Sequence, residues 1–322
     1  MTQSLPFDKL PEMNNETHKI RALEANIGTV IKGKPEVIRM AVIALLARGH
    51  LLIEDVPGVG KTTLAHALAR SLGCAFQRIQ FTSDLLPSDI IGVSIYNQTN
   101  HEFEFNRGPI FSNIILADEI NRTTPKTQSC LLEAMNDFQV SVENRTYPLP
   151  LPFMVLATQN PLEYHGTFPL PESQLDRFMM RIKIGYPSEA HEVEILTSQG
   201  GNRVEDLLPV VSSDEVLELQ AFSEKVRMER SLVDYILKIV SATRTSELLA
   251  LGVSTRGAIH LYRAAQAKAM ADGRDYCIPD DIKEMVFPIL SHRVMLSSRL
   301  ESDRGDAEVV INDIVESVAV PL

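Results

Sequence analysis

Leu51-Leu52-Ile53-Glu54-Asp55-Val56-Pro57-Gly58-Val59-Gly60-Lys61-Thr62-Thr63 runs from an apolar strand through a glycine-containing turn into Leu64-Ala65-His66-Ala67-Leu68-Ala69, which reads helically. Strand, tight loop and helix start, in that order, form a cradle for phosphate. The glycines let successive backbone N–H groups turn inward, and the helix N-terminus adds partial positive charge. Lys61 reaches the outer phosphates, and the Thr62 hydroxyl suits a magnesium ion. The loop core, Pro57, Gly58, Val59, Gly60, Lys61, Thr62 and Thr63, therefore predicts ATP as ligand. The usual pattern begins with glycine where this chain has Asp55. A strict G-x-x-x-x-G-K-[ST] search passes over it, and the departure bears on loop geometry and turnover rate.

Outward from the loop, short apolar strands alternate with helical periodicity up to about residue 185, the pattern of a parallel sheet covered on both faces by helices. Predicted strands are 51–54, 76–81, 113–117, 154–158 and 179–184. The third, Ile114-Ile115-Leu116-Ala117, ends in Asp118-Glu119. At a strand's C-terminal edge Asp118 can hold the magnesium shell, while Glu119 can polarise a water for in-line attack on the terminal phosphate. The fourth, Met154-Val155-Leu156-Ala157-Thr158, ends in Gln159-Asn160-Pro161, so Asn160 brings a neutral amide to the same edge.

After Gly185-Tyr186-Pro187-Ser188 the strand signals fade, which divides the chain into an α/β nucleotide-binding core, 1–187, and a small all-helical domain, 188–322. Ser212 and Glu215 form a capping-box signature ahead of an apolar stripe. Further helices are predicted near Ser231, Thr255 and Pro279, and over Val310, Ile311, Ile314, Val315 and Val318. A chain of 322 residues exceeds the usual ceiling of one core, so two domains agree with length as well.

Composition narrows the alternatives. The three cysteines, Cys74, Cys130 and Cys277, form no CxxC pair, and the eight histidines show no HExxH spacing, so neither a disulfide framework nor a zinc site is indicated. No serine sits in a G-x-S-x-G elbow. The formal net charge of −11 argues against nucleic acid as the main partner. The longest apolar run, Met40 to Ala47, is far short of the about 20 residues of a membrane span. Met1-Thr2-Gln3-Ser4-Leu5-Pro6 lacks an export signal, and a cytoplasmic location is expected.

Taken with Leu86-Pro87-Ser88-Asp89-Ile90-Ile91-Gly92, Gly108-Pro109-Ile110-Phe111, Ala117-Asp118-Glu119-Ile120-Asn121-Arg122 and Leu170-Pro171-Glu172-Ser173-Gln174-Leu175-Asp176-Arg177-Phe178, these motifs resemble the MoxR family of AAA+ ATPases. The resemblance covers nearly the whole chain. It implies an AAA+ core with a helical lid, ATP and Mg2+ as ligands, and Asp118 and Glu119 as Walker B residues. It implies Asn160 as sensor 1 and Arg177 as an arginine finger serving a neighbouring subunit, with Arg181 as a second candidate. Arg256, in Gly252-Val253-Ser254-Thr255-Arg256-Gly257, resembles sensor 2 and is expected to reach back to the nucleotide from the lid. Residues 93–96 with 102–105, and 139–142 with 146–147, look like the arms of two inserted hairpins. Family members characteristically assemble as rings, with a hexamer expected here, and mature protein clients alongside von Willebrand factor A-domain partners. Two other readings stay open: an ATP-switched binding module with slow hydrolysis, and a chelatase-like or nucleic-acid motor subunit.

Overall fold

The computed structural model describes residues 11–99, 101–143, 145–161, 166–197, 203–297 and 307–321; the N-terminal hexapeptide read for an export signal lies outside them. Two helices, α1 (Pro11–Gly28) and α2 (Pro35–Leu46), precede β1 (Leu51–Glu54) and α3 (Lys61–Ser71). Next come β2 (Phe76–Gln80), α4 (Pro87–Ile91), the hairpin of β3 (Gly92–Asn97) and β4 (Glu102–Arg107), and β5 (Ile114–Asp118). They are followed by α5 (Pro125–Asp137), a second hairpin of β6 (Gln139–Val142) and β7 (Arg145–Pro148), β8 (Met154–Gln159), α6 (Glu172–Leu175) and β9 (Met180–Ile182). The remainder holds α7 (Glu189–Thr197), α8 (Ser213–Ser223), α9 (Arg230–Thr245), β10 (Leu249–Leu251), α10 (Thr255–Ala271), α11 (Pro279–Leu290), β11 (Met295–Leu296) and α12 (Ala307–Ser317).

The five strands expected from the sequence form one parallel sheet in the order β2-β5-β8-β1-β9. The three central strands, β5, β8 and β1, are apolar runs because both faces are covered, and their alternate side chains divide between two cores. Leu51, Ile53, Ile114, Leu116, Met154 and Leu156 face α1, α2 and α3; Leu52, Ile115, Ala117, Val155 and Ala157 face the side of α5. The register sets Ile53 beside Thr158, and Ala117 beside Ala157. Three consecutive strands, β5, β8 and β1, thus end together, and the loops that leave them share one edge of the sheet. Such an edge, where the strand order departs from the chain order, is where open α/β sheets bind ligands.

The C-terminal helices begin where the sequence indicates. Ser212 accepts from the Glu215 amide at 3.3 Å while the Ser212 amide donates to Glu215 Oε2 at 2.8 Å, completing the capping box. Helices α8 to α11 extend the apolar cluster that α1 and α2 share with the sheet, and Gln220 Nε2 donates to Leu45 O at 2.7 Å across that contact. The expected all-helical bundle also carries a short antiparallel ladder, β10 with β11. Strands of three and two residues carry too few alternating positions to register in a sequence. Among the described residues, no helix is long and apolar enough to cross a membrane.

The histidines and cysteines take part in packing. His66 stacks on Phe76 with ring centroids 4.8 Å apart. Fully buried His50 bridges two elements, its Nε2 lying 2.9 Å from Met135 O and its Nδ1 accepting from the Val155 amide, and burial pushes its pKa down to about 4. Burial raises all three thiols, to about 11 at Cys74 and about 12 at Cys130 and Cys277, which keeps them protonated.

Candidate functional site

A cleft of ≈ 390 Å³ opens at the shared sheet edge. Its floor is the loop itself: Pro57, Gly58, Gly60, Lys61, Thr62 and Thr63. Gly58 and Gly60 adopt φ of +86° and +96°, and a Cβ at either would meet nothing within 4 Å. Glycine is required there by backbone conformation, not by space, because only that turn aims the amides inward. Gly60 caps α3, so Lys61, Thr62 and Thr63 form the helix's first turn, the positive end of its dipole, and all three line the cleft. Lys61 Nζ donates to the loop carbonyls of Asp55, at 2.6 Å, and Val56, at 3.3 Å.

Asp55, the departure from the usual pattern, has a structural role. Its φ is not in the left-handed region, so the position does not demand glycine. Buried Asp55 accepts from the amides of Val56 (2.8 Å), Ile184 (2.7 Å) and Gly185 (2.6 Å), tying the loop's entrance to the exit of β9. Removing that carboxylate strands two amides of a neighbouring segment. Asp55→Gly, which restores the usual pattern, is therefore expected to lose about 2 kcal/mol in urea unfolding and to weaken nucleotide binding. A variant that gains in either measurement would refute this role.

The opposite wall comes from β5 and β8. Asp118, Glu119 and Asn160 line the cleft, and Asp118 and Asn160 are buried. The Thr158 hydroxyl donates to Asp118 Oδ1 at 2.6 Å and accepts from the Glu119 amide at 2.8 Å, so β8 locks both acids. Glu119 is held at φ 57°, ψ 49°, a left-handed conformation rare for a residue with a side chain. Strain of this kind gathers at functional sites, where it aims a side chain that relaxed backbone would turn away. Gln80 Nε2 and Arg122 Nη1 donate to Glu119 Oε2 at 2.8 and 3.0 Å. Arg78, on β2, lines the cleft and chelates Asp118.

Thr62 and Asp118 offer a hydroxyl and a carboxylate across the cleft, the hard-oxygen donors that suit Mg2+. Two protein ligands leave the rest of an octahedral shell to phosphate oxygens and water, so the donor set fits a cation that arrives with a nucleotide.

Beside the phosphate cleft, Val30, Ile31, Ile184, Gly185, Pro187 and Ile195 meet Gly58, Val59, Gly60 and Thr63 around a second recess of ≈ 300 Å³. It is mainly apolar and opens from the same loop, as a base beside its phosphates would need. This recess, Arg78, Gln80 and Thr158 were not singled out from the sequence. For the β2 pair a signal existed: Gln77, Arg78 and Gln80 are polar positions in a strand whose neighbour, β5, is apolar up to Asp118.

Not every expected residue converges on the cleft. Arg177 lies in the turn between α6 and β9, outside the cleft lining, and its buried Nε has no hydrogen-bond partner. Arg181, the second candidate, pairs with Glu54 at 3.2 Å between neighbouring strands. Arg256, read as sensor 2, lies 3.6 Å from Asp176, next to Arg177 and outside the cleft lining. The reason is the cap of α10: Ser254 Oγ donates to both Asp176 oxygens, at 2.8 and 3.0 Å, which holds the start of that helix against the 176–178 turn.

Deeper in the same joint, Arg293, 4% exposed, donates from Nε to Asp176 Oδ1 at 2.9 Å and from its other nitrogens to the carbonyls of Asp176, Phe178 and Met179. Burial first, and the Arg293 charge second, push the pKa of His260 well down, so its Nδ1 accepts from Arg293 at 2.7 Å. A single carboxylate, Asp176, joins the turn bearing Arg177 to α10 and to the segment after α11.

Residues 50–180 match the ATPase family associated with various cellular activities (AAA), and residues 241–314 match the AAA lid domain. The uncharacterized protein YeaC of Bacillus subtilis is 50% identical over 92% of this chain and 93% of its own length. Chaperone MoxR1 of Mycobacterium tuberculosis is 41% identical over 95% of this chain and 83% of its own. The crystal structure of a candidate ATPase from Cytophaga hutchinsonii matches with a TM-score of 0.90 and 41% identity, over 97% of both chains. With motif order, sheet order and near end-to-end relatives in agreement, the chain belongs to the MoxR family of AAA+ ATPases.

Proposed function

We propose that this chain hydrolyses ATP within a ring of like subunits, and that hydrolysis drives the remodelling or maturation of a protein client. The observation that carries the reading is the convergence of Lys61, Thr62, Asp118, Glu119 and Asn160 on one cleft while Arg177 lies outside it. In this reading the loop amides and Lys61 hold the phosphates, and Thr62 and Asp118 hold Mg2+, which supplies charge neutralisation at the phosphoryl oxygens. Glu119 polarises the attacking water, and Asn160 fixes its position. The apolar recess takes the base.

Arg177 would then act on the site of the adjoining subunit, neutralising charge that develops on the transferred phosphoryl group. Arg256 shares the Asp176 anchor with the Arg177 turn, which supports a role at the same subunit boundary and not over the chain's own nucleotide. The lid is taken to run over 188–322, the ring to be a hexamer, and the protein to work in the cytoplasm. The name of Chaperone MoxR1 supports a chaperone role, and a von Willebrand factor A-domain protein is the proposed partner.

Phosphate release by the purified protein tests the reading. Turnover is expected with Mg2+ and ATP, and to rise severalfold with a von Willebrand factor A-domain protein but not with DNA or a chelatase partner. No turnover under any condition would leave the ATP-switched binding module as the better account, and stimulation by DNA would favour the motor.

A further inference from the structure

Asp118 is nearly enclosed, and both of its carboxylate oxygens accept hydrogen bonds within the protein. Oδ1 takes the Thr158 hydroxyl at 2.6 Å; Oδ2 takes two donors from one guanidinium, Arg78 Nη2 at 2.5 Å and Arg78 Nε at 3.1 Å. A cation beside a shielded carboxylate offsets the large penalty of burying an unpaired acid. Arg78 supplies that cation from the neighbouring strand, and its side chain, about half exposed, stands in the cleft wall. Arg78 Nη2 also donates to Gln80 Oε1 at 2.9 Å, and Gln80 holds Glu119. The same Nη2 thus links Asp118 to Gln80.

This pairing occupies one oxygen of the carboxylate that the proposed function assigns to the magnesium shell. A guanidinium chelating Oδ2 and a hydrated divalent cation on the same carboxylate cannot share that face, and their charges repel at a few ångströms in a partly desolvated cleft. We propose that Arg78 is the resident counter-cation of Asp118, and that it must yield this carboxylate for Mg2+–nucleotide to bind. Arg78 is then a positioning residue that sets how strongly nucleotide affinity depends on the metal. Its displacement also pulls on Gln80, so metal arrival is felt at Glu119. Both residues lie on β2, at the edge of the sheet and away from the loop that grips the phosphates.

The inference rests on nucleotide binding at this cleft, and the test separates the two. A fluorescent ADP is titrated into the protein with Mg2+ and with EDTA, and the ratio of the two dissociation constants is taken as the metal dependence. For Arg78→Met and Arg78→Gln the ratio is expected to rise roughly tenfold, because Mg2+ no longer competes with a fixed charge. Arg78→Lys, which keeps the charge, should stay near the wild-type ratio. Thermal melting checks that the half-exposed site tolerates each change. An unchanged ratio, with both constants weakened alike, would make Arg78 a plain phosphate ligand and overturn the inference while leaving the nucleotide reading intact. A lowered ratio would overturn it as well, since Arg78 would then be supporting the metal. Absence of nucleotide binding in the wild-type protein would bring down the site reading and the inference together.

Discussion

Arg177→Ala and Glu119→Gln are each expected to abolish ATP turnover, and a mixture of the two inactive proteins is expected to recover it. Losing a positioned base costs about 10² to 10⁴ in rate. Losing a transition-state guanidinium costs about 10³ to 10⁵. Both variants should still bind nucleotide, because the loop amides, Lys61 and Thr62 are untouched. The mixture discriminates, since Arg177 lies outside its own chain's cleft. If an active site needs Glu119 from one subunit and Arg177 from the next, a ring of either variant alone has no complete site. With random exchange, about a quarter of the interfaces pair an intact Glu119 with an intact Arg177. If both residues served one subunit's site, mixing would restore nothing, and absence of recovery despite demonstrated exchange would remove Arg177 from its proposed role.

The features that were readable in the sequence are those fixed by neighbouring residues. The central strands β1, β5 and β8, buried on both faces, announce themselves as apolar runs, and each functional motif among them sits directly at a strand's end. Asp118-Glu119 and Asn160 could be placed at one edge because parallel strands all finish on the same side. The hairpins of β3 with β4 and β6 with β7 follow from local alternation, and the paired arms align as expected. What escaped depends on distant pairings. The apolar recess is assembled from residues near 30, 60, 185 and 195. Arg78 meets Asp118 across 40 residues, and Arg293 meets Asp176 across 117. Asp55 stood as a doubt for the same reason, because its acceptor role depends on amides at 184 and 185. Arg256 was legible as the arginine of a sensor 2 segment, but its neighbour Asp176 was not, because the Ser254 cap meets that carboxylate across 78 residues.

Asp176→Ala is expected to cost on the order of 3 kcal/mol in urea unfolding, more than removal of an exposed ion pair, because it leaves a buried charge without its partner. Arg293 lies almost wholly inside the joint, and burial already lowers its pKa to about 10 despite the opposing pull of Asp176. The carbonyls of 176, 178 and 179 can take its hydrogen bonds but cannot balance its charge. Replacing the charge as well should therefore return stability: Asp176→Ala with Arg293→Met is expected to unfold at a higher urea concentration than Asp176→Ala alone. Asp176 itself has side-chain exposure of 17% and keeps Ser254 as a donor, so Arg293→Met alone should be the milder single change. The coupling from the four proteins measures the pair directly. Additive changes would mean that Arg293 is held by the carbonyls and that Asp176 serves only the cap of α10. Strong coupling would mean that the turn carrying Arg177 is positioned by a charge from the segment after α11. In that case Asp176→Ala, well below its unfolding midpoint, should lose turnover while keeping its affinity for Mg2+–nucleotide, because the loop and Asp118 belong to a part of the sheet that Arg293 does not touch.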